Sequence, residues 1–318
     1  MWGNLPHSSI VPPEETDKVR LMNRCPACES ESYVSRVAID TGSRQRYLNF
    51  SEVKYGGLLD GWLTALQPEI VACGECGHHW YLRQPSPEQL SFMYANGRRL
   101  LSDPVSREPT SQMLSEMRRL AKLTAKPQPR LLDFGSGFGR WARAAARVGF
   151  RVHAYEPSEA RGAESVEEFT LVHDLSEIAG MRFDAINLEQ VLEHVPEPLE
   201  TLRIIRSFFT VGTVLRVRVP NILRPPEGAS VWMDWPYDGK RVHAMAPFEH
   251  LHGFTPDSLQ VLSHRAGFDV VSGWRLAHNY PMAWMKEMAR GVRPKWGSTF
   301  ALLADARCQV GVALASSA

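Results

Sequence analysis

Long apolar runs are missing from this chain of 318 residues. None approaches the roughly 20 consecutive apolar residues that a membrane-spanning helix requires, so no membrane span is expected. An excess of either charge is missing too: 36 lysines and arginines face 35 aspartates and glutamates, a formal net charge of +1. No global field therefore draws the protein to nucleic acid or to a membrane surface. The N-terminus, Met1-Trp-Gly-Asn-Leu-Pro, has neither the basic start nor the apolar core of a secretory signal, and a cytoplasmic location is expected. Internal repeats and low-complexity tracts are absent. So is the G-x-x-x-x-G-K-[ST] phosphate-gripping loop. What is present is ordinary for a folded soluble protein: 44% apolar residues and enough length for one large domain and a small one.

One segment stands out. Arg130-Leu-Leu-Asp-Phe-Gly-Ser-Gly-Phe-Gly-Arg140 runs from an apolar strand into an acid and then into G-x-G-x-G, followed by a helix-forming run to Val148. Glycine lets the backbone turn sharply and lets a ligand approach it closely. The following helix aims free N–H groups at whatever lies in the turn. The dinucleotide fingerprint is G-x-G-x-x-G; here the third glycine comes one residue early. A second strand, Arg151-Val-His-Ala-Tyr-Glu156, ends in an acid placed to accept from ribose hydroxyls. Thr170 to Asp174 reads as a third strand with an acid at its tip. Arg182 to Val195 reads as a fourth strand, a turn and a helix start. A helix over about 197–209 and a β-rich run from Thr213 to Val219 follow.

This succession resembles the class I S-adenosylmethionine-dependent methyltransferases, over roughly residues 128–275. The residues that carry the resemblance are Leu-Asp-Phe-Gly-Ser-Gly-Phe-Gly (132–139), Tyr-Glu-Pro-Ser (155–158), Phe-Asp-Ala-Ile (183–186), Val-Leu-Glu-His-Val (191–195) and Val-Pro-Asn (219–221). His-Leu-His-Gly-Phe-Thr-Pro (250–256) and Ala-Gly-Phe (266–268) continue it. The chain is most similar to the small-molecule subgroup that includes the ubiquinone-pathway O-methyltransferases. The resemblance implies an α/β, Rossmann-like sheet of seven strands, mostly parallel with the last antiparallel. It also implies S-adenosylmethionine as cofactor. Backbone at Gly135, Ser136, Gly137 and Gly139 would approach its methionine and ribose portions. Asp133 would orient the loop or meet the cofactor amine through water, and Glu156 would take the ribose hydroxyls. Asp174 and Leu175 would face the adenine, and Leu188 and Glu189 the methionine end. Glu156 and Asp174 also have a plainer reading, as solvated acids at strand ends.

His194 is the leading candidate base, opening the helix after the fourth strand. Its ordinary pKa near 6.5 suits proton transfer at neutral pH. Capping or packing the helix start is the alternative. His250 is a second candidate base, although a structural role fits it equally. In the ubiquinone-pathway relatives an E-x-x-E-H arrangement can hold a divalent ion near the acceptor. This chain has Gln190-Val-Leu-Glu-His194, with glutamine in the first place and Glu189 one residue early, so no catalytic metal is assigned.

Four of the five cysteines form two pairs, Cys25-Pro-Ala-Cys28 and Cys73-Gly-Glu-Cys76, in the pattern C-x2-C-x44-C-x2-C. Two residues between thiolates let both sulfurs of a tight turn reach one ion. Two such turns complete a tetrahedral S4 site suited to structural Zn2+. C-x-x-C is also a redox motif, but two knuckle-like pairs favour zinc. A closed S4 site has no open position for catalysis; its task would be to fold a small module. Ser32–Ile39 and Gln45–Val53 alternate as strands of that module would. Cys308, in an expected late strand, reads as a buried apolar residue.

The expected organisation is a loose arm over 1–22, a zinc-ribbon-like module over 23–84, a helical connector or cofactor lid over 85–127, and the transferase domain over 128–318. Helices are expected from Pro85 to Tyr94, Thr110 to Lys122, Thr255 to Ala266 and Met282 to Arg290. Phe268–Trp274 would be the sixth strand and Ala306–Ala315 the last. The acceptor pocket is expected within Asn221–Phe254, which carries Trp232, Met233, Trp235, Tyr237, His243, His250 and His252. A small-molecule acceptor is the expected partner: a hydroxyl of a secondary metabolite, glycan or lipid precursor. Carbon methylation of a sugar-like substrate remains open, as does a zinc-ribbon binding protein that targets RNA or protein. Arg36, Arg44, Arg46 and Lys54 hint at a basic stripe, but acids are interleaved. Asn187-Leu-Glu-Gln190 is not the Asn/Asp-Pro-Pro-Tyr loop of base N-methylation, which argues against nucleic acid. The oligomeric state is left open.

Overall fold

A computed structural model describes residues 19–96, 107–124, 126–158, 167–222, 235–238, 241–271 and 298–305. Among them lies an α/β sheet with a core of five parallel strands. In chain order these are β6 (Arg130–Phe134), β7 (Arg151–Tyr155), β8 (Thr170–Val172), β9 (Phe183–Glu189) and β10 (Phe209–Pro220). Their order across the sheet is β10-β9-β6-β7-β8. Beyond β10, Ser298–Asp305 adds antiparallel, and Phe268–Val271 pairs antiparallel with it in turn. The expected strand Ala306–Ala315, the helix Met282–Arg290, residues 272–274 and Cys308 lie outside the described residues.

Alternation along the strands builds two apolar layers, because successive side chains leave opposite faces. Leu131, Val152, Ala154 and Ala185 pack with α4 (Ser111–Thr124) and α5 (Arg140–Arg147) on one face. Leu132, Ile186, Leu188, Leu215 and Val217 pack on the other with α6 (Pro198–Arg206) and α7 (Pro256–Arg265). Thr255 caps α7 in a reciprocal capping box with Ser258.

The cysteine-bearing module is built on β2 (Tyr33–Ala38), β3 (Glu69–Cys73) and β4 (His79–Tyr81), all antiparallel. A fourth strand, β13 (His252–Gly253), comes from the segment after β10 and pairs with β4. Cys25, Val71, Cys73, Cys76 and Trp80 share one buried cluster with Leu188, Leu262 and Phe254. Module and sheet are thus joined by a backbone ladder and a common core. Arg20–Leu21, at the end of the expected arm, forms β1 and pairs with β5 (Arg83–Gln84).

Gln45–Val53 is not a strand. It lies inside the helix α1, Thr41–Tyr55. Asp40 accepts from the Ser43 N–H, and the Ser43 hydroxyl side chain accepts from the Asp40 N–H, a complete capping box. Gly56 closes the helix in a left-handed conformation. Tyr47, Phe50, Ser51 and Tyr55 are buried at helical spacing, which outweighs the local alternation. Among the described residues, no helix is long and apolar enough to cross a membrane.

Candidate active site

The glycine loop leaves β6 and is tied to the end of β7. Gly135 and Ser136 N–H both donate to the Tyr155 carbonyl, at 2.8 and 2.9 Å. Gly135 is left-handed (φ 73°), and a Cβ there would lie 2.8 Å from a Val191 methyl. Gly137 is also left-handed (φ 54°), and a Cβ there would meet nothing within 4 Å. The two glycines differ in purpose: the first lets a loop pack closely, and the second borders open space.

Glu156 stands across that loop. Its Oε2 accepts from Gly137 N–H at 2.9 Å and its Oε1 from Ser158 N–H at 3.1 Å. The side chain is fixed by backbone donors at the carboxyl end of β7, where open α/β sheets bind ligands. Two further atoms fit the residues to S-adenosylmethionine: Ser136 Oγ and Asp133 Oδ2 are buried with no hydrogen-bond partner. Burying polar atoms without partners is costly, and a cofactor with an ammonium, a carboxylate and two ribose hydroxyls brings partners for such a cradle. Asp174 is exposed and caps the 3-10 turn Leu175–Ile178. Hydrogen bonds from Ser176 hold its pKa down. Leu188 is fully buried in the core.

Glu189 ends β9 and is ion-paired with Arg216 and Arg218, at 2.7 and 3.2 Å. It belongs to a polar row that follows strand register. Asp133 on β6 lies opposite Asn187 on β9, and Asn187 lies opposite Arg216 on β10. Asn187 Nδ2 donates to Asp133 Oδ1 at 2.7 Å, and Arg216 donates to Asn187 Oδ1 at 2.6 Å. Arg216 also pairs with Glu116 of α4 and lies 4.4 Å over the Trp141 ring. The row orients Asp133 from beneath the sheet. Asn187, Arg216 and Glu116 were not among the sequence candidates for the site. Arginines at 216 and 218, alternating with apolar residues in an interior strand, were the available signal.

Burial raises the Asp133 carboxyl to about 7, against a hydrogen bond from Asn187 that lowers it. Below pH 7 the group is mainly protonated, and a cationic cofactor amine favours the ionised form. Affinity for S-adenosylmethionine should therefore rise with pH between 6 and 8, by at most about tenfold. Calorimetric titration across this range should show the rise, and Asp133→Asn should flatten it.

At the far end of β9 the chain makes a tight turn at Leu192–His194, with His194 N–H donating to the Val191 carbonyl at 2.9 Å. His194 does not open a helix. Pro196 follows in the connection, and α6 begins only at Pro198, with Glu197 as its N-cap. His194 Nδ1 lies 2.6 Å from the Glu249 carbonyl and 3.1 Å from the Tyr94 hydroxyl. Its ring stands perpendicular to that of His250, with centroids 4.5 Å apart. The two candidate bases, distant in sequence, thus share one site. Burial lowers the His250 pKa. Burial alone would raise the Glu249 carboxyl, but Lys54 and the imidazoles outweigh it and hold it at about 2. Tyr94 and Glu249 were not among the sequence candidates.

Other members of the expected acceptor segment pack inward. Trp235 is buried and donates to the Met245 carbonyl, and His243 accepts from Met245 N–H. His252 is buried against His78, 3.3 Å away. Trp232 and Met233 lie outside the described residues.

The four cysteines converge. Cys25 and Cys76 sulfurs are 3.6 Å apart, Cys28 and Cys73 sulfurs 3.5 Å, and all four lie within 4.8 Å of one another. None is in a disulfide. Four sulfurs each about 2.3 Å from a tetrahedral zinc stand about 3.8 Å apart, so the donor set fits the ion. Glu75 N–H approaches Cys73 Sγ at 3.4 Å. The hydrogen bond between Cys25 and Cys76 lowers the Cys76 thiol to about 6 and raises the Cys25 thiol.

This sheet and glycine loop define a methyltransferase-type α/β protein. The methyltransferase-domain family matches residues 106–273, more than half of the chain, and the chain belongs to that family. The ubiquinone biosynthesis O-methyltransferase of Xanthomonas campestris pv. campestris is 33% identical over 113 residues, covering 32% of this chain and 47% of that protein. Its Cereibacter sphaeroides counterpart is 30% identical over 177 residues, covering 49% and 66%. The chain thus spans about half the length of the first of these curated relatives. Among solved structures, a Burkholderia thailandensis 1,6-didemethyltoxoflavin-N1-methyltransferase with bound S-adenosylhomocysteine matches at a TM-score of 0.41 and 17% identity. That match covers 74% of this chain and 94% of the other.

Proposed function

We propose that this protein transfers the methyl group of S-adenosylmethionine to a hydroxyl of a small molecule, a secondary metabolite, glycan or lipid precursor. The observation that carries the reading is the cradle: Glu156 is held by the N–H of Gly137, which is itself left-handed and has open space in front of it. Bound S-adenosylmethionine supplies a methyl already activated by the sulfonium charge. The chain's own residues then have to hold, align and exclude water. Glu156 takes the ribose hydroxyls, and backbone at Gly135, Ser136, Gly137 and Gly139 follows the ribose and methionine. Asp174 and Leu175 face the adenine, and Leu188 and Glu189 end the strand beside the methionine. His194 and His250 receive the acceptor proton. The four cysteines hold a structural zinc and support the site through the shared core.

Transfer of labelled methyl to a panel of phenols, catechols and sugar hydroxyls tests the reading. His194→Ala should lower kcat by about 10²- to 10⁴-fold while leaving the dissociation constant for S-adenosylmethionine within about twofold. A variant that transfers at the wild-type rate would remove His194 from proton transfer. Methylation at carbon, with hydroxyls untouched, would overturn the choice of acceptor atom.

A further inference from the structure

The segment that carries His250 has a strained backbone. Phe248 is left-handed (φ 57°), an outlier for a bulky side chain. Glu249 N–H donates to the Pro247 carbonyl at 2.8 Å, which closes a three-residue turn of the rare γ kind. Such a backbone persists only where its surroundings hold it, and here the cysteine-bearing module does the holding. The fully buried Phe248 ring packs against Tyr47 of α1 (6.2 Å between centroids), Trp62 of α2 (Trp62–Leu66; 5.6 Å) and Tyr81 of β4 (5.5 Å). Lys54 of α1 ion-pairs with the Glu249 carboxylate, and its Nζ lies 5.4 and 5.6 Å from the centroids of the Phe50 and Tyr55 rings. Leu251 N–H and His252 N–H donate to the Glu193 carbonyl at 2.6 and 3.2 Å, which clamps the turn after β9 onto this segment.

The strained turn bears on both histidines. A backbone carbonyl can only accept, so its partner ring nitrogen carries the proton. His194 Nδ1–H donates to the Glu249 carbonyl at 2.6 Å, and His250 Nδ1–H donates to the Ala244 carbonyl at 2.8 Å. Tyr94 of α3 (Pro87–Asn96) makes a second contact with His194 Nδ1, 3.1 Å away. His250 faces Glu249 beside it, Lys54 from α1, and Glu193 and His194 from the turn after β9. Burial raises the Glu193 carboxyl to about 8, so at lower pH it is mainly neutral. Burial is the largest influence on His250 and lowers its pKa; beyond it, the Glu249 carboxylate raises the pKa and the Lys54 ammonium lowers it.

We propose that Lys54 is a positioning residue for the histidine pair: through it the cysteine-bearing module reaches into the acceptor side of the site, holds the turn at Phe248 and Glu249, and balances the Glu249 charge beside His250. The module is then more than a folding element, because the segment that orients both imidazoles is mounted on its aromatic side chains. The catalytic consequence rests on the reading of His194 and His250 as proton acceptors; the charge balance at His250 rests on geometry alone.

The test titrates the His250 imidazole by nuclear magnetic resonance in full-length, zinc-replete protein with labelled histidine and no acceptor. His250→Gln identifies its signal. Glu249→Gln keeps shape and backbone carbonyl and removes the charge; it should lower the His250 pKa by about one unit. Lys54→Met should raise it by about one unit, and Lys54→Arg should keep it at the wild-type value. Loosening of the fold alone would admit water and move both charge-removing variants upward, so the opposite signs are the signature. The two Lys54 variants serve if Glu249→Gln fails to fold, with circular dichroism as the monitor. Shifts of the same sign would overturn the inference. So would His250 unmoved in Lys54→Met, or shifted as far in Lys54→Arg. Opposite shifts in protein that transfers no methyl would leave it standing and count against the proposed function alone. With an acceptor in hand, the acid limb of kcat/KM should follow His250, to higher pH in Lys54→Met and to lower pH in Glu249→Gln.

Discussion

Glu156→Ala is expected to weaken S-adenosylmethionine binding by at least about a hundredfold. The carboxylate stands at the end of β7, where the proposed reading puts the ribose, and its two oxygens are held by Gly137 and Ser158 N–H. Each hydrogen bond from a hydroxyl to a charged acceptor contributes about 1.5–3 kcal/mol, so losing two costs about 3–6 kcal/mol, or more than a hundredfold. The substitution also releases the Gly137 N–H, which loosens the loop that borders the ligand. Glu156→Asp separates the two effects: the charge remains but no longer reaches, so binding should fall by an intermediate amount. Titration calorimetry of both variants, with circular dichroism to monitor folding, reads the outcome. Binding unchanged in Glu156→Ala would mean that the ribose is held elsewhere.

If the four-cysteine cluster holds the proposed zinc, chelating it, or replacing Cys76 by serine, is expected to unfold the module and take part of the transferase sheet with it. Cys25 and Cys76 are buried, and their cluster is continuous with side chains of β9, α6 and α7. A structural zinc contributes about 10–16 kcal/mol to the folding of the segment it holds. Loss of one thiolate among four should cost several kcal/mol, a fall in Tm of roughly 10 °C or more for a domain of this size. Because β13 of the transferase segment pairs with β4 of the module, S-adenosylmethionine affinity should fall with the Tm. Scanning calorimetry before and after chelation, with zinc added back, tests this. A module that melts while cofactor binding stays intact would show two independent units.

What was legible in the sequence is what is local. Asp133 to Gly139 carries its meaning in contiguous residues, and Glu156 follows from its place at a strand end. The cysteine pairs announce a cluster through spacing alone. The α1 segment misled because Gln45–Val53 alternates, although Tyr47, Phe50, Ser51 and Tyr55 follow helical spacing and Asp40 with Ser43 already spelled a helix start. His194 was expected to open the helix after the fourth strand, but Pro196 and Pro198 delay the helix to Pro198. The pairing within the polar row Asp133–Asn187–Arg216–Glu116 was not legible, although Arg216 and Arg218 in an interior strand signalled buried charge. It depends on the register of three strands and on which face of α4 meets them. The approach of His250 to Glu193 and His194 depends in the same way on a backbone clamp between distant segments.

The central claim is that this chain holds S-adenosylmethionine in the cradle formed by Gly135, Gly137 and Glu156. Calorimetric titration of the full-length, zinc-replete protein with S-adenosylmethionine tests it most directly. The account predicts one site per chain with a dissociation constant in the micromolar range, about −8 kcal/mol. No heat and no protection against thermal unfolding, in protein shown to be folded, would contradict it.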